Sequence, residues 1–113
     1  MTGVENSTVI DFVGYDPKTE NLTLAMIEER TWDGSEERLL QLQEKINNYL
    51  SFVLDGQLAR TYADYKNKKV LFQLNCSFPP DDRTLGFLDQ VKNALDQYHI
   101  GLVLKILKPA DEP

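Results

Sequence analysis

The chain has 113 residues, 42% of them hydrophobic, with a formal charge of −6 at pH 7 and a pI near 4.7. That length fits one domain and leaves little room for two, and its apolar content suffices for a core that buries roughly two-thirds of the unfolded chain's surface. The negative field disfavours nucleic acid and membrane surfaces as partners, and a single cysteine, Cys76, excludes an intramolecular disulfide.

In chain order, residues 1–7 are small and polar and read as a loose start. They lack the basic region and apolar run of a signal peptide, and no stretch reaches transmembrane length, so the expectation is a soluble cytoplasmic protein. Thr8–Tyr15 is rich in β-branched and aromatic residues and predicts a strand. Asp16–Asn21 is a turn, with Pro17 fixing φ and Asp and Asn bonding their own backbone. Leu22–Glu28 alternates as a second strand, completing a hairpin.

A loop through Trp32, Asp33 and Gly34 leads to a helix capped by Ser35 or Asp33 and running to about Leu54. Leu39, Leu42, Ile46, Tyr49, Leu50 and Val53 form its apolar stripe; Glu37, Gln41, Glu44, Lys45 and Asn48 fall on the other side, and Gly56 stops it. Leu58, Tyr62 and Tyr65 hint at further helical turns. Lys69–Phe78 is the strongest strand, with Val70, Phe72, Leu74 and Cys76 on one face; Pro79 and Pro80 end it. Asp81 or Asp82 caps a second helix to about Tyr98, closed by His99, Ile100 and Gly101. Leu102–Leu107 is a last strand, and residues 108–113 read as a disordered polar tail after a single domain over 1–107.

The order ββαβαβ predicts the α+β class: a two-layer sandwich whose four-stranded mixed sheet carries two helices on one face. The opposite face would then hold Val9, Asp11 and Val13 from the first strand and Ile27 from the second. Leu71, Gln73 and Asn75 would join them from the third strand, and Val103, Lys105 and Leu107 from the fourth. An apolar patch with polar groups among it is one reading of that face, and marks an interface with a partner protein or a second copy, as in a homodimer. An ordinary half-wet sheet face is the other.

Catalytic signals are sparse. One His and one Cys on different elements make no metal-ligand pattern, no Gly-rich phosphate loop occurs, and no cofactor is implied. Cys76 points inward and reads as a small core hydrophobe, and the paired carboxylates Glu36–Glu37 and Asp81–Asp82 read as helix caps and dipole partners. Trp32 is either packed on the helix start or an exposed anchor. The alternative to an interaction protein is a ligand binder or enzyme whose pocket gathers Trp32, Asp33, Tyr62, Tyr65 and His99 at the strand-end loops.

Two stretches carry a resemblance. Val4-Glu5-Asn6 with Val9-Ile10-Asp11-Phe12, and Leu42-Gln43-Glu44-Lys45-Ile46-Asn47-Asn48-Tyr49-Leu50-Ser51-Phe52, are similar to a family of small bacterial proteins of unknown function. The resemblance covers nearly the whole chain and implies a shared fold and a cytoplasmic bacterial protein; it implies no catalytic residues.

Overall fold

The computed structural model describes residues 10–61 and 68–106. The loose start, Val9, the turns expected around Tyr62 and Tyr65, Leu107 and the tail over 108–113 lie outside the described residues. The elements are β1 (Phe12–Asp16), β2 (Asn21–Glu28), α1 (Glu36–Leu54), α2 (Gln57–Thr61), β3 (Lys69–Cys76), α3 (Asp82–Asp96) and β4 (Gly101–Ile106). The strands lie side by side in the order β1-β2-β3-β4; β1 runs antiparallel to β2, and β2, β3 and β4 run parallel. This is the expected mixed sheet in the order ββαβαβ, with the short α2 added after α1.

Local chemistry sets each boundary. In the hairpin turn, Asp16 Oδ1 accepts from the Lys18 N–H at 2.9 Å and Asp16 O from the Glu20 N–H at 2.7 Å. Glu20 takes a left-handed φ of 59° to close it. Ser35 caps α1 by accepting from the Arg38 N–H, and Glu36 and Glu37 face the positive end of its dipole. Gly56, at φ 83°, turns the chain out of α1 into α2.

Asp81 caps α3 twice over, accepting from the Thr84 N–H at 3.2 Å and the Thr84 hydroxyl at 2.7 Å. The far end of α3 closes with Ile100 N–H on Leu95 O and His99 N–H on Asp96 O. His99 sits at φ 59° where a glycine usually stands, and Ile100 and Leu95 are both buried beside it.

The core fills the space between the sheet and its helices. Leu22, Leu24 and Met26 of β2 and Val70, Phe72, Leu74 and Cys76 of β3 meet Leu42, Ile46 and Tyr49 of α1 and Leu88 and Leu95 of α3. Tyr49 sets its ring edge-to-face on Phe72, with centroids 5.7 Å apart. Lys45, expected on the solvent side of α1, is buried.

The register also corrects β1. Val13 pairs with Leu24 and Tyr15 with Leu22, which places both on the helix-covered face. Val13, expected on the opposite face, packs against the core. Phe12 and Gly14, paired with Ala25 and Thr23, take the face assigned to it. The turn fixes this register, and a one-residue shift exchanges every side chain between faces.

Candidate functional site

No described element covers the second face of the sheet. Its rows follow from the register: Thr23, Leu71 and Gly101; then Phe12, Ala25, Gln73 and Val103; then Ile27, Asn75 and Lys105. Leu71 leans over Gly101, where a Cβ would lie only 2.6 Å from Leu71 Cδ2. Gln73 Nε2 donates to Asn75 Oδ1 at 2.8 Å, so an amide pair occupies the centre of the face. Leu71, Val103 and Ile27 stand half-buried around that pair, Phe12 is 58% exposed, and Lys105 is exposed. Of the residues expected here, Ile27, Leu71, Gln73, Asn75, Val103 and Lys105 share the face.

Asp11 does not, and the reason is chemical. β1 stops pairing with β2 at Phe12, and the chain parts from its neighbour at Asp11. The Tyr49 hydroxyl enters that fork, accepting from the Asp11 N–H at 2.9 Å and donating to Ala25 O at 2.6 Å. The Asp11 carboxylate accepts from the Ile27 N–H at 3.0 Å and from Lys45 Nζ at 2.8 Å. Both side chains of this ion pair are 0% exposed. Burial, helped by the Asp11 charge, raises the Tyr49 hydroxyl far above its ordinary pKa, against the pull of the Asp11 N–H. Asp11, Lys45 and Tyr49 come from the two stretches that carry the family resemblance, so those stretches meet in space.

A second charged cluster forms where β2 and β3 end. Glu28, buried at the end of β2, accepts from Arg30 Nε at 2.9 Å and an Arg30 terminal nitrogen at 2.6 Å; an Arg38 terminal nitrogen lies 3.1 Å away. Arg30 also donates to Gln41 Oε1 at 2.9 Å, and Arg38 to Thr31 O at 2.6 Å. The Arg38 guanidinium stacks 4.9 Å over the Trp32 ring. Trp32 is thus packed on the helix start and against the core. Burial works against the Glu28 charge, but the arginine hydrogen bonds and charges outweigh it and hold the carboxyl below its ordinary pKa.

Cys76 pairs with Glu28 in the sheet. Its thiol is pushed up to about 11, by burial first and by the Glu28 charge, with Trp32 and Arg38 opposing. The thiol is therefore protonated at neutral pH and is a poor nucleophile. Nearby, Arg83 donates to Gly34 O at 2.9 Å and ties α3 to the loop before α1. The Glu28 carboxylate is engaged by the two arginines, so the cluster clamps the loop and α1 onto the sheet.

The residues expected to form a strand-end pocket are not gathered. Trp32 and Asp33 follow the C-terminal end of β2, and Asp33 Oδ1 accepts from the Ser35 N–H at 2.9 Å as part of the helix start. His99 precedes the N-terminal end of β4, at the opposite end of the parallel strands. Tyr62 and Tyr65 lie outside the described residues. Among the described residues, no group of three or more His, Cys, Asp and Glu is placed to hold a metal ion, and no helix is long and apolar enough to cross a membrane.

The arrangement defines a small two-layer α+β domain with one helix-covered sheet face, one face that no described element covers and two charged clamps. The chain belongs to a family of unknown function (DUF6572), whose family model matches residues 1–108. No curated protein and no solved structure matches the chain.

Proposed function

We propose that the protein is a non-catalytic interaction module that binds a partner protein through the uncovered face of its sheet. The observation that carries this reading is the face itself: Leu71, Val103 and Ile27 around a hydrogen-bonded Gln73–Asn75 pair. Parallel strands are ordinarily covered on both faces, yet β2, β3 and β4 are covered on one among the described residues. A partner surface that brings apolar side chains to the ring and one polar group to the amides would complete the second layer. The chemistry of the strand-end cluster supports the same reading, because its carboxylate is engaged and its thiol protonated.

Charge placed in the centre of the face is the test. Leu71→Lys and Val103→Lys, with Asn93→Lys on exposed α3 as the matched control, are compared by thermal melting and by affinity capture from an extract of the native cells. The expected result is a partner held by the wild type and by the control and lost by both face variants at unchanged fold. Face variants that hold everything the wild type holds would sink the proposal.

A further inference from the structure

The edge of the sheet carries a different inference, independent of the uncovered face. β4 pairs with β3 on one side only, and among the described residues its outer backbone edge meets no strand. Such an edge is a ready template for another strand, and proteins usually blunt it with charge, proline or a bulge. β4 reads Gly-Leu-Val-Leu-Lys-Ile, so only Lys105 provides that protection. Beside this edge, α3 and β4 border a groove of about 220 Å³ lined by Leu85, Leu88, Asp89 and Lys92 with Leu102 and Leu104. Leu85 on its rim is 41% exposed, and Ile106 at the end of β4 is 39% exposed.

The charges beside the groove indicate what occupies it. Asp89 and Lys92 lie one turn apart on the exposed flank of α3, and neither has an ion-pair partner among the described residues. Across a two-fold axis a second α3 runs in the opposite direction. Asp89 of one copy then meets Lys92 of the other, and the contact occurs twice. A surface that carries both halves of its own charge pattern is self-complementary, which favours a second copy over an unrelated strand.

We propose that two copies of this chain join edge to edge, with β4 antiparallel to the second β4 and the two α3 helices side by side over the junction. Their sheets become one continuous sheet, and the two uncovered faces lie on the same side of it.

Light scattering after size-exclusion chromatography, on the full chain over a range of concentrations, tests the proposal. The wild type is expected at twice the 13.0 kDa of one chain. Asp89→Lys places like charges across the axis and is expected to weaken the dimer about tenfold. Adding Lys92→Asp to Asp89→Lys restores the complementary pattern and the dimer, and Leu85→Arg abolishes it. A wild type that stays monomeric to about millimolar concentration, the weak limit of specific association, overturns the proposal. So does a dimer indifferent to Asp89→Lys and Leu85→Arg, or one that the double exchange fails to restore. None of these variants touches the uncovered face, so their outcome is separate from that of Leu71→Lys.

Discussion

The two charged clusters hang from the same helix and are held in different ways. At the fork of β1 and β2, Asp11 and Lys45 are closed off from water completely, and each is in contact with the other. At the ends of β2 and β3, Glu28 is almost as enclosed, but its partner Arg30 keeps 34% of its side chain exposed. Removing charges from water is expensive, and their mutual attraction offsets that only when the geometry is good and the remaining polar atoms are bonded. The fork meets this condition through Tyr49 and the Ile27 N–H. The strand-end cluster meets it only in part: its guanidinium groups reach Gln41, Thr31 and the Trp32 ring and Arg30 stays partly in water, but Arg38 Nε and Nη2 and Trp32 Nε1 are buried without a hydrogen-bond partner among the described residues. The closed cluster should therefore be the less tolerant of losing one partner.

The largest effect is expected at the fork. Lys45→Met keeps most of the side-chain volume but removes the buried counter-charge of the Asp11 carboxylate, and should destabilise by about 3–5 kcal/mol. Asp11→Leu removes the buried counter-charge of the ammonium and the acceptor of the Ile27 N–H, with a loss of similar size. Replacing both charges, as Asp11→Leu with Lys45→Met, should cost less than either single change. Urea denaturation of the four proteins measures this directly. A double variant that loses the sum of the two singles would show that the pair is not coupled.

The middle effect is at the strand ends and carries a pH signature. Glu28→Gln leaves Arg38 without its counter-charge, and a loss of about 2–3 kcal/mol is expected at pH 7, less than at the fork because Arg30 is still hydrated. The Glu28 carboxyl is held below its ordinary value of 4.5 in the folded protein. The unfolded chain therefore takes up this proton first as pH falls, and the stabilisation, fully present above about pH 4.5, is lost as pH drops through the folded value. The other depressed carboxyls, Glu20, Asp33 and Asp81, are common to both proteins and cancel in the difference. The stability gap between wild type and Glu28→Gln should be level from pH 7 to about 5 and shrink below that. A gap independent of pH would remove the charge of Glu28 from the explanation.

The fold was legible because its signals are local. The turn at Pro17, the caps Ser35 and Asp81, the stop at Gly56 and the stripe through Leu42 each act within a few residues of where they are read. What escaped was long-range or ambiguous. β1 carries apolar residues on both parities, with Phe12 on one face and Val13 and Tyr15 on the other, so alternation alone does not choose its buried side; the register through the turn does. Lys45 sits at a position that pattern reading gives to solvent, and its partner lies 34 residues away in sequence. Its burial was readable only in that Asp11, Lys45 and Tyr49 fall in the two stretches with the resemblance. Trp32 and His99 both read as loop residues when strand direction is left out. One follows the end of a strand and the other precedes the start of one, and parallel strands keep such positions apart.

The smallest effect sharpens the comparison most, because it isolates exposure. Arg30 and Arg38 hold the same carboxylate, but Arg30 is 34% exposed where Arg38 is only 10% exposed. Arg30→Ala lets water replace the lost donors on Glu28, and the expected loss is about 0.5–1 kcal/mol, reduced further by salt. Arg38→Ala instead takes the stacked guanidinium from Trp32 and opens a space beside Glu28 that the packed indole keeps dry, so its loss should be larger and nearly independent of salt. Thermal melts of both variants at low and high sodium chloride separate the two. If Arg30→Ala proves the costlier, or the salt dependence falls on Arg38→Ala, then the strand-end cluster is anchored through its exposed arginine, and enclosure is not what ranks these ion pairs.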